Sequence, residues 1–182
     1  MRKSALLFLA ILVELFFANC GVFAKSEEAG NRLLLEGDTL IQKAKSEADI
    51  DSAIKKYREA LAIFEKTGSR NGKSSALNNI GLATHRKGQY KIALEDFELA
   101  FKIATQSEPQ KKQATVISNM GEVYNSLGQY GRALDCFEQS LVLHRKLGDA
   151  SGEASDLNNI GVALSHRGEY SRAISYLEHA LD

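Results

Sequence analysis

The chain of 182 residues has no tryptophan, one proline and two cysteines, and its 23 basic residues are balanced by 23 acidic ones. This balance leaves no basic stripe of the kind that nucleic-acid binding needs, because affinity for a phosphate backbone depends on many cationic contacts. We therefore expect no nucleic acid among the partners. The sequence also lacks a low-complexity tail and a long block of like charge.

Motifs that carry known chemistry are missing as well. The sequence has no Gly-x-Ser-x-Gly elbow, no His-Glu-x-x-His, no phosphate-binding glycine loop and no paired-cysteine metal spacing. We therefore expect no catalytic residues, no cofactor and no metal site. The histidines are expected to be solvated or to line a groove, and they are His85, His144, His166 and His179. Several carboxylates are interpreted as solvating charge: Glu95, Asp96, Asp135 and Glu178.

The first 24 residues have the character of a secretory signal peptide. Arg2 and Lys3 form a short basic start, residues 5–13 are apolar, and Ala24 ends a cleavage site of small residues. The apolar run is too short for a confident membrane-spanning helix. We therefore expect cleavage after Ala24 and export to the periplasm or the medium.

Two alternatives for the N-terminus stay open. Residues 4–17 could be retained as a membrane anchor, and residues 17–20 resemble a loosened lipobox that would place a lipid on Cys20. Contact with a membrane is expected only in these two cases. After cleavage at Ala24 only Cys136 remains, so no internal disulfide can form. We interpret Cys136 as a small, semi-apolar filler beside Phe137.

A short phrase occurs three times with a spacing of forty residues. The copies are Asn-Asn-Ile-Gly at 78–81, Ser-Asn-Met-Gly at 118–121 and Asn-Asn-Ile-Gly at 158–161. A Gly-Gln-Tyr or Gly-Glu-Tyr turn follows each copy, and alanine with a bulky aliphatic residue comes next. Self-similarity at a fixed period indicates one supersecondary unit stacked on itself. Such stacks form long concave surfaces rather than enclosed reaction sites.

Each unit is predicted to contain two amphipathic helices joined by a short turn. In the clearest copy the apolar face of the first helix has i, i+3, i+4 and i+7 spacing, at Leu77, Ile80, Gly81 and Thr84. No stretch after residue 24 alternates with period two for long enough to form a strand. Glycine inside a helix costs about 1 kcal/mol relative to alanine. Its recurrence at 81, 121 and 161 therefore predicts a close approach of the second helix.

The unit resembles the tetratricopeptide repeat. The matching residues are Leu77, Ile80, Gly81, Thr84, Ala93, Phe97 and Ala100, then Ile117, Met120, Gly121, Tyr124, Ala133 and Phe137, then Leu157, Ile160, Gly161, Leu164, Ala173, Leu177 and Ala180. The chain departs from the pattern by its missing tryptophan and closing proline. A weaker copy precedes these, with Tyr57 at the aromatic position but Ile41 where the others have glycine.

The resemblance implies an all-α fold, a right-handed αα-solenoid of antiparallel helix pairs. We expect a linker at 25–30 and an array over 31–182, with units at about 34–67, 74–107, 114–147 and 154–182. Because forty residues exceed the usual repeat length, we place the extra residues between units, at 68–73, 105–113 and 148–153.

The forty-residue spacing and the Leu-Asn-Asn-Ile-Gly phrase resemble the kinesin-light-chain type of repeat. They are also similar to bacterial arrays that precede caspase-like CHAT proteases and signalling domains. In such arrays the first asparagine of the pair is a groove residue, which implies that role for Asn78 and Asn158. The alternative is that these amides satisfy neighbouring backbone groups.

First helices of such a stack line its inner curve, and the stripe next to their packing face is expected to form a partner-binding groove. Its residues are Ser75, Asn78, Leu82, His85 and Arg86, then Thr115, Ser118, Glu122, Asn125 and Ser126, then Ser155, Asn158, Val162, Ser165 and His166. Short polar side chains suit an extended peptide, whose backbone groups need donors and acceptors.

The predicted function is therefore a non-enzymatic scaffold or adaptor that binds a protein or an extended peptide. The alternative is the sensing part of a longer signalling protein or CHAT-type protease, whose effector domain this sequence does not contain. Self-association through the last unit is a further expectation, because Leu177 and Leu181 would lack a covering cap.

Overall fold

A computed structural model describes residues 24–107 and 110–181, without the side chains of residues 106 and 107. The expected signal peptide lies almost wholly outside the described residues and stays a prediction. The described chain forms helices only: α1 (24–43), α2 (Glu47–Thr67), α3 (Arg70–Arg86), α4 (Tyr90–Ser107), α5 (Gln110–Ser126), α6 (Tyr130–Leu147), α7 (Ala150–His166) and α8 (Tyr170–His179). The prediction of an all-α helical-hairpin solenoid is confirmed. None of the described helices is long and apolar enough to cross a membrane.

The connections between units are shorter than predicted. Gly68 ends α2 in the left-handed region with φ 73°, and the Ser69 side chain accepts from the Gly72 N–H at the start of α3. Gly148 and Asp149 repeat this arrangement between α6 and α7. A left-handed glycine followed at once by an N-cap reverses the chain in two residues. The extra residues of the forty-residue period therefore lengthen the helices, and their placement between units at 68–73 and 148–153 was wrong, because α3 begins at Arg70 and α7 at Ala150.

The linker expected at 25–30 was also wrong, because these residues belong to α1. Gly30 is buried, and a Cβ there would lie 2.7 Å from the Phe64 ring. Farther along α1, Gly37 takes the place that the sequence pattern assigned to Ile41. A Cβ at Gly37 would lie 2.3 Å from the Tyr57 ring. The first unit therefore keeps its close-packing glycine, one helical turn earlier than the period predicts.

The glycine-aromatic contact predicted inside each unit is present. A Cβ at Gly81 would lie 2.7 Å from the Phe97 ring, and one at Gly121 would lie 2.6 Å from the Phe137 ring. Both rings are buried, at 0% and 1% exposure. Without a Cβ at these positions the ring of the second helix lies directly on the backbone of the first. Leu177 fills the equivalent space beside Gly161 in the last unit.

First and second helices lie on opposite sides of the solenoid. Among the described elements α3 contacts α5 and α5 contacts α7, whereas α2, α4, α6 and α8 do not contact one another. A stack whose first helices are closer together than its second helices is curved, with the first helices on the inner side. The predicted groove face is therefore the concave one.

The last unit is incompletely covered. Leu181 is 89% exposed and Ile174 is 57% exposed, whereas their counterparts one unit earlier, Leu141 and Leu134, are 6% and 7% exposed. Leu177, which was expected to be incompletely covered, is half-buried against Gly161.

Candidate functional site

The paired asparagines on the inner face join one unit to the next. The Asn119 side-chain amide donates to the side-chain oxygen Oδ1 of Asn78 at 2.7 Å, and the Asn79 side-chain amide donates to the Asp38 carboxylate at 3.1 Å. In both cases the second asparagine of a unit reaches back to the first position of the preceding unit. Asn78 lies on the predicted face, but its carbonyl oxygen is already occupied by this contact.

Other predicted groove residues make similar contacts between units. His85 Nε2 lies 2.9 Å from Ser126 Oγ, and His166 Nδ1 lies 3.2 Å from Asn125 Oδ1. The Arg86 guanidinium donates to backbone carbonyl oxygens at the end of α1, at 2.8 and 3.3 Å. Burial lowers the pKa of His85 below its usual value. This part of the predicted stripe holds neighbouring first helices in register.

The junction of α5, α6 and α7 contains a buried polar network instead of the asparagine contact. Asp156 is fully buried, and its carboxylate accepts from the Ser118 hydroxyl at 2.7 Å and lies 2.8 Å from His144 Nδ1. His144 is 5% exposed, and Ser140 Oγ lies 3.4 Å from the same ring nitrogen. Ser118, predicted as a groove residue, is 8% exposed and contributes to the lining of an inner-face pocket, but its hydroxyl is committed to the Asp156 carboxylate. His144, expected to be solvated or to line a groove, is not solvated, although it contributes to the lining of the same pocket.

This network contains serine, histidine and aspartate but lacks the order of a nucleophilic triad. In such a triad the imidazole lies between the hydroxyl and the carboxylate, so that it can take the hydroxyl proton. Here Asp156 lies between Ser118 and His144. The arrangement satisfies buried polar atoms and ties three helices together. Among the described residues no group of three or more metal-ligating side chains could hold a metal ion.

A comparison within the chain could have revealed this network. Asp156 stands at the repeat position that is occupied by Ala76 in the second unit and by Val116 in the third. His144 occupies the phase of Phe64, and Gly152 lies against its ring as Gly72 lies against Phe64. The signal in the sequence is that a carboxylate and an imidazole, twelve residues apart in consecutive units, stand at positions that are apolar in the other units.

Several predicted residues that remain open to a ligand lie around two pockets on the inner face. The pocket between α5 and α7 has a volume of about 310 Å³ and is lined by Lys111, Thr115, Ser118, Asn119, Glu122, His144, Asp149, Ser151, Gly152, Ser155, Asp156 and Asn159. A smaller one between α3 and α5 is lined by Ser74, Ser75, Asn78, Asn79, Lys112, Thr115 and Val116. Thr115 lines both and is exposed. Ser155 is also exposed, at the rim of the larger pocket.

Electrostatics distinguish the two pockets. In the larger pocket burial raises the pKa of Glu122, and the nearby Asp156 carboxylate raises it further. A hydrogen bond between Glu122 and Asn159 partly offsets this rise. In the smaller one Lys112 donates to Ser75 at 3.1 Å. The pocket between α5 and α7 thus contains three carboxyl groups, two of which are paired with Lys111 and His144, whereas the pocket between α3 and α5 contains Lys112.

The other predicted residues are placed less favourably for binding. Leu82 is 37% exposed and Asn158 is exposed, but neither lines these two pockets. Val162 and Ser165 are half-buried on α7. Asn158 lies at the end of the asparagine series, where the described residues place no following unit against it.

On the outer face Asp96 differs from the other carboxylates that were interpreted as solvating. Glu95, Asp135 and Glu178 are exposed as predicted. Asp96 Oδ2 is buried and has no hydrogen-bond partner among the described residues. Burial raises the pKa of Asp96 to about 6, and the positive charge of Arg58 offsets this rise only in part.

Replacing Asp96 by alanine should therefore stabilise the protein at neutral pH. Because the folded pKa lies above the unfolded value, the folded state binds more protons between about pH 4 and pH 6, and the unfolding free energy falls as pH rises through this window. We expect Asp96→Ala to gain about 1–2 kcal/mol above pH 6, after allowance for the partial exposure of the carboxylate, and little near pH 4. Urea unfolding across this range, with the exposed Glu98→Ala as control, measures the effect. An equal gain for both variants at every pH would contradict it.

Cys136 is protonated at neutral pH. Burial, and to a smaller extent Asp135, raises the pKa of its thiol to about 11. This agrees with its interpretation as a small filler, since reactivity needs the thiolate.

The fold and the inner face define a scaffold of helical repeats. A tetratricopeptide repeat family model matches residues 46–106 and 112–182, so the chain belongs to the tetratricopeptide repeat family. Proteins built from this repeat are protein–protein interaction scaffolds. No match was found among the curated proteins.

Solved structures agree on the fold. Aspartyl phosphate phosphatase F from Bacillus subtilis superposes with a TM-score of 0.72 at 18% identity, over 91% of this chain and 43% of that one. BtubC from P. vanneervenii gives 0.65 at 18% identity, over 90% and 73%. The kinesin light chain TPR-like repeats of Podosopora anserina give 0.61 at 17% identity, over 86% and 72%. The chain thus spans less than half of the phosphatase.

Proposed function

We propose that this chain is a scaffold that binds an extended peptide segment along its inner face, across the two pockets that share Thr115. The observation that supports this most directly is the exposed polar lining that remains after the contacts between units are accounted for. Packed helices lie about 8–10 Å apart, and an extended chain advances at most about 3.3–3.6 Å per residue. About three residues therefore lead from one pocket to the next.

The two pockets favour different side chains. Both pockets are lined by serine, threonine and asparagine side chains, which offer donors and acceptors to a peptide backbone. In the larger pocket Asp149 is paired with Lys111 and Asp156 is the partner of His144, so Glu122 is the carboxyl group that favours a donor on the peptide. Lys112 in the smaller pocket favours an acceptor. A peptide bound in this way has a defined direction.

Peptides selected from a random library against the full chain provide the test. Ser155→Arg places a long charged side chain at the rim of the larger pocket and should weaken the selected peptides at least about tenfold. Ser175→Arg is the matched control, because Ser175 is exposed on the outer helix α8. Fluorescence anisotropy measures both affinities. Unchanged binding by Ser155→Arg, or an equal loss for Ser175→Arg, would place the peptide elsewhere.

An alternative is that the array is the sensing part of a longer regulatory protein. The similarity to a phosphatase of which this chain spans 43% favours this candidate. The coding sequence after codon 182 separates the two, because a continuing frame with a new domain would support the regulatory role and an immediate stop would oppose it.

A further inference from the structure

The outer face contains an open groove between α2 and α4. It has a volume of about 620 Å³, and apolar side chains of Ile54, Ala62 and Ile92 contribute to its lining. Ile92 is 46% exposed. Lys55 and Arg58 project from α2 along the same groove, and neither forms an ion pair with another described residue.

The two carboxylates that line this groove form no ion pair with Lys55 or Arg58. Asp51 is paired with Lys87. Glu59 lies 3.8 Å from Lys56, whose closer partner is Glu36 at 2.8 Å. Arg58 is close enough to Asp96 to lower its pKa, but burial raises that pKa by more, and the two side chains do not form an ion pair. The groove therefore combines an apolar lining with a basic edge.

The later units carry the opposite charge at these positions. Lys55 and Arg58 correspond to Glu95 and Glu98 in α4 and to Asp135 and Glu138 in α6. The apolar Ile92 corresponds to Arg132 and Arg172 in the later second helices. At the last junction Arg172 is ion-paired with Glu169 at the start of its own helix, which raises the pKa of Arg172, and Glu138 across the junction adds a smaller effect. Arg172 thus has an acidic partner within the chain, whereas Lys55 and Arg58 form no ion pair with another described residue.

A complementary ridge lies on α6 of the same chain. Asp135, Glu138 and Val142 have the spacing i, i+3 and i+7, which places them on one stripe of the helix. All three are exposed, and Val142 is 65% exposed. The stripe Lys55, Arg58 and Ala62 on α2 has the same spacing and the opposite charge.

We propose that a second copy of this chain docks its α6 ridge into the groove between α2 and α4. Parallel alignment brings Asp135 to Lys55, Glu138 to Arg58 and Val142 to the apolar lining formed by Ala62 and Ile92. Both halves of this contact are present on every molecule, because ridge and groove lie on different units. The contact is heterologous, so each added copy leaves one groove and one ridge free and the assembly grows by addition.

Exposed charge pairs set the conditions under which this association occurs. Salt screens such pairs over about 10 Å at 0.1 M and over about 3 Å at 1 M. The association should therefore depend on concentration at low salt and be lost at high salt. This dependence separates it from contact through the apolar end of α8, which salt would not weaken.

Charge reversal in the full chain tests the proposal by sedimentation velocity. At low salt the unmodified chain should form species larger than the monomer. Lys55→Glu with Arg58→Glu should weaken association at least about tenfold, and so should Asp135→Lys with Glu138→Lys. Lys25→Glu with Lys43→Glu is the control: both lysines are exposed on α1, and reversing them changes the net charge by as much as reversing the groove residues. Far-UV circular dichroism checks that every variant stays folded.

Mixing the two reversed variants is the decisive step. In the mixture each reversed groove meets a reversed ridge and each native groove meets a native ridge, so association should return. A chain that stays monomeric at low salt would overturn the proposal, and so would a mixture that stays monomeric. Association that survives both reversals and is lost in Ile174→Glu would assign the contact to α8 and overturn it too.

Discussion

Replacing Gly121 by alanine should destabilise the folded protein by about 1–3 kcal/mol, although alanine is the better helix former. A Cβ at this position would lie 2.6 Å from the Phe137 ring. The ring is 1% exposed, so neighbouring side chains prevent it from moving aside without loss of packing. Urea unfolding monitored by circular dichroism measures the loss.

Gly131→Ala is the matched control for this prediction. Gly131 lies in α6, is exposed, and has open space where a Cβ would be placed. The same substitution should there stabilise the protein by up to about 1 kcal/mol, because alanine loses less backbone entropy in a helix than glycine does. The two variants should therefore differ in sign. Stabilisation by both would show that the two helices can separate at no cost, contrary to the packing described.

Replacing Asp156 by alanine should cost about 3–5 kcal/mol of unfolding free energy, the largest effect that we expect from one substitution. The carboxylate is fully buried and is the shared partner of Ser118 and His144. Its removal leaves a buried hydroxyl and a buried imidazole without their acceptor. Asp51→Ala is the control, since it breaks a partly exposed ion pair, with side-chain exposures of 58% for Asp51 and 11% for Lys87, and should change stability by at most about 1 kcal/mol.

A second variant distinguishes the loss of a polar partner from simple loss of volume. His144→Phe together with Asp156→Ala reproduces the apolar pair that Phe64 and Ala76 form at the first junction. Gly152 leaves room for the new ring as Gly72 does for Phe64. We expect the double variant to recover more than half of the loss, because replacing both partners of a buried pair leaves fewer polar atoms unsatisfied. A double variant less stable than Asp156→Ala alone would refute this account.

The contacts inside each unit could be predicted from the sequence, because they are local and repeat with the period. Gly121 and Phe137 are sixteen residues apart in one helical hairpin, and the same pair recurs as Gly81 and Phe97. The helix boundaries were less accurate. The two-residue turns at Gly68 and Gly148 depend on capping by Ser69 and Asp149, which the period does not reveal.

Which of the predicted groove residues are free to bind a ligand could not be predicted from the sequence. The stripe was placed on the correct helices, since the direction of a side chain follows from its phase on the helix. Which of these side chains stay free for a ligand depends on partners one unit away. Asn78 is occupied by Asn119, whereas the equivalent Ser118 turns to Asp156. Both arrangements are compatible with the same forty-residue pattern.

The sequence alone determined the helical hairpin, its repetition and the small-to-large packing within each unit, because these follow from contacts among residues close together in the chain. The tertiary structure decided how the units join. The offset between neighbouring first helices selects which polar atoms meet, so that an asparagine pair forms at one junction and a buried carboxylate with an imidazole forms at another. The curvature of the stack also leaves the second helices apart, which opens the outer groove between α2 and α4.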